Sequence, residues 1–158
     1  TGKTSYVHRL YETIDHRYVP TLGVEVHPYR FPEEGVTFNI WDTAGQERFG
    51  GLRDGYCIQG QCCMVFCSLA NTESLYNVCD WLRGVSRVCE NISYALILNT
   101  KGLAKSGINY EIWQELKKVY PNIRAYEIDI NNSPLEEIKA PLLHFIEQIH
   151  AIHARFNW

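Results

Sequence analysis

The chain has 158 residues, 46% of them hydrophobic, and a net charge of −3. That is enough for one domain with a buried core, and the charge offers no general reason to expect nucleic-acid binding. No polybasic block, prenylation-type terminal Cys, signal-peptide pattern or membrane-length apolar run is present, so a soluble protein without a membrane anchor is expected. The six cysteines show no CxxC spacing. Cys62, Cys63 and Cys67 fall in an apolar strand-like run and Cys79 and Cys89 on a helical pattern, with Cys57 between turns. Reduced, core-filling thiols are therefore expected, rather than a disulfide framework or a zinc ribbon.

In chain order, Gly2-Lys3-Thr4 followed by Tyr6, Val7, Leu10 and Tyr11 predicts a phosphate-binding turn opening an amphipathic helix. Asp15 to Gly23 reads as a loop broken by Pro20. Val24 to Phe31 and Thr37 to Trp41 read as an antiparallel hairpin around Pro32-Glu33-Glu34-Gly35. Gln46 to Gln61 holds Gly50, Gly51, Gly55 and Gly60, a density that predicts mobility. The continuous apolar runs Cys62 to Leu69 and Tyr94 to Leu98 read as strands buried on both faces, which implies a parallel sheet. Between them, Glu73 to Cys89 predicts one helix capped by Asn71 or Thr72. A helix over Tyr110 to Tyr120, a strand over Arg124 to Ile128 and a final helix from about Leu135 complete the pattern. Ser133 is the expected cap of that last helix and Pro134 its first residue. The fold class is α/β, doubly wound, with a mostly parallel sheet flanked by helices.

The chemistry lies in three segments. In Thr1-Gly2-Lys3-Thr4, Lys3 and the first helical amides suit the β- and γ-phosphates and the Thr4 hydroxyl suits Mg²⁺, the tail of a phosphate loop. Tyr18-Val19-Pro20-Thr21 lies where a loop ordered by triphosphate belongs, with Thr21 as a second Mg²⁺ ligand and its N–H toward the γ-phosphate. Trp41-Asp42-Thr43-Ala44-Gly45-Gln46-Glu47 ends a strand in an Asp that reaches Mg²⁺ through water. Gly45 then offers an amide to the γ-phosphate, and Gln46 orients the hydrolytic water. His144, His150 and His153 on the last helix have a spacing open to metal binding. No converging carboxylate or Cys is evident, and a partly exposed helix face is the expectation.

Tyr18 to Pro28 (YVPTLGVEVHP), Trp41 to Ile58 (WDTAGQERFGGLRDGYCI) and Arg87 to Ile92 (RVCENI) resemble the Ran family of small GTPases, which is also a P-loop, Ras-like fold. The resemblance covers nearly the whole chain and is closest from Tyr18 to Ile58. It implies a single Ras-like GTPase domain over residues 1–158, acting as a GTP-binding and GTP-hydrolysing switch in nucleocytoplasmic transport. It implies Mg²⁺, bound GTP or GDP, and Gln46 as the catalytic residue. Gly2, Lys3, Thr4, Ser5, Tyr18, Thr21, Asp42, Gly45, Asn99 and Lys101 would contact nucleotide, with Thr4 and Thr21 on the metal and Asp42 through water. Importin- and exportin-type receptors, an exchange factor and a GTPase-activating protein are the implied partners of a monomer found in nucleus and cytoplasm, without direct nucleic-acid contact.

The family pattern is broken at the base subsite. Asn99-Thr100-Lys101-Gly102 stands where the family has N-K-x-D, and Asp129-Ile130-Asn131 where it has S-A-K. Loss of the guanine-reading carboxylate is expected to cost roughly 2 to 4 kcal/mol of base affinity. Lys101, one position late, is the candidate to cover the base. The family's central first strand would precede Thr1, which suggests a chain truncated within the phosphate loop. A catalytically weak Ran-like pseudo-GTPase acting as an interaction module is therefore a second reading.

Overall fold

The protein is described by a computed structural model over residues 2–11, 24–43, 60–68, 72–89, 92–101 and 110–156. Helix α1 (Lys3–Leu10) is followed by strands β1 (Val24–Phe31), β2 (Val36–Thr43) and β3 (Cys62–Ser68), then α2 (Thr72–Tyr76) and α3 (Val78–Val88). Next come β4 (Ser93–Asn99), α4 (Tyr110–Val119), β5 (Arg124–Ile128) and α5 (Leu135–Phe156).

β1 and β2 pair antiparallel over all eight positions, from Val24 opposite Thr43 to Phe31 opposite Val36. Strand alternation turns Tyr29, Phe31, Phe38 and Ile40 toward the core, while Val26 and Trp41, a cross-strand pair, lie exposed. β3, β4 and β5 pair in parallel in that order. Among the described residues the hairpin and the parallel strands form two separate sheets, with no pairing between β2 and β3.

β4 explains why its sequence is continuously apolar. Ala95 and Ile97 enter one core with Tyr6, Val7 and Leu10 of α1 and Ile138, Leu142 and Phe145 of α5. Leu96 and Leu98 enter a second core with Val65, Cys67, Val78 and Leu82. Each fully buried leucine contributes about 1.5–3 kcal/mol of transfer free energy, so a helix is required on each face of the sheet. Helix α1 is locked onto α5 by the Tyr6 hydroxyl, which donates to the Ile138 carbonyl, and onto the hairpin by the Tyr11 hydroxyl, which donates to the Pro28 carbonyl.

Three local expectations are revised. The helix expected over Glu73 to Cys89 is interrupted at Asn77, a weak helix former, although Asn77 N–H still reaches the Glu73 carbonyl at 3.2 Å. Ser133 does not cap α5 with its hydroxyl, which instead accepts the Asp129 N–H at 3.0 Å and closes a turn. The Pro134 carbonyl accepts the first helical amides, those of Glu137 and Ile138. Pro141 lies buried inside α5 and has no N–H to offer the Glu137 carbonyl. The described cysteines Cys62, Cys63, Cys67, Cys79 and Cys89 form no disulfide among themselves. Burial pushes Cys62 up to about 11 and Cys67 up to about 12, which leaves both protonated and unreactive at neutral pH. Cys57 lies outside the described residues.

Candidate functional site at the carboxyl ends of the parallel strands

Parallel strands β3, β4 and β5 end together at Ser68, Asn99 and Ile128, and the N-terminus of α1 is held against that edge. The join is made by Gly2. Its φ is 107°, a left-handed conformation that glycine tolerates, and a Cβ there would sit 2.7 Å from Ile130 Cδ1 and 2.9 Å from Asn99 Nδ2. Any side chain there would strain the backbone and displace the Ile130 and Asn99 side chains. Gly2 then serves as N-cap with no side-chain cap, and its carbonyl accepts the Tyr6 amide at 2.8 Å. The helix geometry leaves the first-turn amides without intrahelical acceptors, as an anion-binding helix start requires.

Thr4 stands in that first turn, and its Oγ1 donates to Asp42 Oδ2 at 2.9 Å across 38 residues of chain. Asp42 ends the inward-facing row of β2 and is 5% exposed. Its second oxygen, Oδ1, is buried with no protein partner. A buried carboxylate oxygen without a donor is costly, so this corner holds electrostatic capacity that the described residues do not use. Ser5 is exposed in the same turn, and Lys3 lies half-buried with its ammonium 5.9 Å from the centroid of the Trp81 ring on α3.

On the other side of Gly2, Asn99 is buried and its Oδ1 accepts the amides of Lys101 at 3.3 Å and Ile130 at 3.4 Å. The side chain thereby staples the end of β4 to the loop after β5. Thr100 is also buried, with its amide on the Ile128 carbonyl at 2.9 Å. Lys101 is exposed at φ 49°, a left-handed conformation that is uncommon outside glycine.

Gly2, Lys3, Thr4, Ser5, Asp42, Asn99 and Lys101 thus gather at one end of the sheet. Tyr18, Thr21, Gly45 and Gln46 lie outside the described residues, as does Gly102. Trp81 beside Lys3 and Ile130 against Gly2 belong to the same corner, although no sequence motif marks them. Their signal is absent from local patterning, because Trp81 reads as one more residue of an amphipathic helix.

The family model for the Ras family matches residues 1–137. The chain belongs to the Ras family. As a Ras-family GTPase domain it is a small GTP-binding switch, and GTPases of this family bind GTP or GDP with Mg²⁺. The donor set at the Thr4–Asp42 corner fits that metal. A hydroxyl and a carboxylate are hard oxygen ligands, and the unpartnered Asp42 Oδ1 faces no competing donor.

The opposite end of the sheet looks different. His144 on α5 is half-buried, with its side chain 11% exposed, on the partly exposed helix face that the spacing predicts. Its imidazole is held below the ordinary value by burial first and by the Arg124 charge second, against a smaller opposing effect of Glu147. His150 is exposed, and the side chain of His153 lies outside the described residues. No group of three or more His, Cys, Asp or Glu suited to a metal ion occurs among the described residues. Lys118 pairs with Glu115 at 3.2 Å on the exposed face of α4.

Proposed function

We propose that this Ras-family domain is a Ran-type GTPase switch for nucleocytoplasmic transport. The Thr4–Asp42 hydrogen bond with its unpartnered Asp42 Oδ1 is the observation that carries the nucleotide half of the reading. Bound there, Mg²⁺ would neutralise phosphate charge and polarise the transferred group. Thr4 and Thr21 would supply its hydroxyl ligands, and Asp42 would orient metal-bound water. Lys3, Ser5 and the amides that follow Gly2 would hold phosphate oxygens, for which Lys3 would leave the face of Trp81. Gly45 and Tyr18 would close over the phosphates, and Gln46 would position the attacking water. The transport half rests on Tyr18 to Pro28 and Trp41 to Ile58, whose Ran-like sequence would form the loaded-state surface read by importin- and exportin-type receptors. An exchange factor and an activating protein would set the loaded fraction in nucleus and cytoplasm.

A second reading, a pseudo-GTPase that serves as an interaction module, is favoured by one observation. The residue after Lys101 is Gly102 rather than an aspartate, so the carboxylate that would read the guanine edge is missing. One experiment separates the two: extraction of nucleotide from the purified protein, followed by GTP titration with and without Mg²⁺ and single-turnover hydrolysis. Magnesium-dependent GTP binding with slow turnover that Gln46→Leu slows further supports the switch. Protein that is empty and indifferent to GTP supports the module.

A further inference from the structure

We propose that the end of the sheet opposite the nucleotide corner carries a second anion site, built for a small tetrahedral oxyanion such as phosphate, between α4, β5 and α5. Arg124 opens β5, so the site lies roughly 13 Å along the strand from Ile128 at the nucleotide end, at about 3.3 Å per residue. An open groove of about 310 Å³ lies there, lined by exposed Lys117 of α4, Asn122 and Arg124 of β5 on its rim and by His144 and Gln148 of α5 on its floor. Its lining is mostly polar and holds two permanent cations.

Two polar atoms of α5 in this region find no protein partner among the described residues. His144 Nδ1 and Gln148 Oε1, one turn apart on α5, are buried without a hydrogen-bond partner and both line the groove. One orphan is ordinary in a folded protein. Two on one helix face of the same groove are a concentrated cost, which a ligand seated there would relieve. The nearest acid to the imidazole, Glu147, holds Oε2 3.8 Å from Nδ1, too far for a hydrogen bond, and its side chain is 78% exposed.

The chemistry of the ligand follows from the lining. Lys117 and Arg124 call for negative charge, and donors arriving from three elements match oxygens disposed tetrahedrally better than the two oxygens of a planar carboxylate. Gln148 Oε1 is an acceptor. Hydrogen phosphate has an O–H to donate to it, whereas a carboxylate at neutral pH has none.

The test follows the ring protons of His144 by NMR in the full chain while inorganic phosphate is added at ionic strength held constant with sodium chloride. The site predicts a saturable shift of His144 with phosphate and none with chloride, retained in Lys3→Ala, which removes a phosphate ligand from the nucleotide corner. Arg124→Gln is expected to weaken that response by about 10-fold or more, the size typical of a lost charged hydrogen bond, with GTP binding unchanged. Lys117→Gln, on an exposed helix position, weakens it in the same direction and decides the matter if Arg124→Gln fails to fold. A His144 response that merely tracks chloride overturns the proposal. So does a phosphate response that survives both cation substitutions or disappears in Lys3→Ala.

Discussion

The two ends of the parallel sheet handle polar groups in opposite ways. At the carboxyl end, polar side chains satisfy one another across the fold: Thr4 holds Asp42, and Asn99 holds the amides of Lys101 and Ile130. At the amino end, His144 Nδ1 and Gln148 Oε1 are buried with no such partner among the described residues. The first end is preorganised, with Asp42 Oδ1 as its one orphan oxygen among the described residues, and the second is built of orphans. Preorganisation makes the Thr4–Asp42 and Asn99 contacts expensive to alter, because replacing one member strands the other in a buried setting.

The largest break in that contrast is Asp42→Ala. It removes both the partner of Thr4 and the buried oxygen facing the metal position, and is expected to weaken magnesium-dependent GTP binding by about 100-fold, or ~3 kcal/mol. Titration of a fluorescent GTP analogue with and without Mg²⁺ checks this, with Arg124→Gln as the far-end control that leaves the affinity unchanged. Gly102→Asp sharpens the comparison from the base side. Restoring the missing carboxylate is expected to raise preference for GTP over ATP by about 30-fold, ~2 kcal/mol, read by competition binding.

Asn99→Ala separates architecture from ligand contact. Two amides lose their acceptor in a buried setting, and the folded state is expected to lose about 2 kcal/mol in urea denaturation without nucleotide. A residue that acts only on the base would leave that stability untouched.

The smallest effect is a pH dependence at the far end. Burial and Arg124 hold folded His144 below its ordinary value of 6.5, so as pH falls through that value the unfolded chain takes up a proton that the folded chain resists. Stability is therefore expected to decline from about pH 7.5 to about pH 5.5, and His144→Gln to flatten the decline. Urea midpoints across that range measure both slopes.

Much of the fold is legible in the chain's local patterning. Period-two alternation gives the hairpin its core face through Tyr29, Phe31, Phe38 and Ile40, and the two-sided apolar run of β4 calls for helices on both faces. The strand at Arg124–Ile128 also falls where its sequence places it. The helix break at Asn77 and the turn that recruits Ser133 are not legible in that way, because Asn and Ser satisfy backbone groups in several ways and only the surroundings choose among them. The site divides along the same line. Lys3, Thr4 and Asp42 stand in motifs whose spacing is local, whereas Trp81 and Ile130 reach that corner through packing and carry no motif.

By itself, then, the sequence determined the elements and the α/β class, since each depends on contacts within a turn or a strand. Tertiary structure alone decided that Thr4 meets Asp42 across 38 residues, that Asn99 serves the backbone, and that Arg124, His144 and Gln148 line one groove. Residues so far apart are brought together by the burial of the two cores on either side of β4, and no local pattern encodes which polar side chains are left facing one another when those cores close.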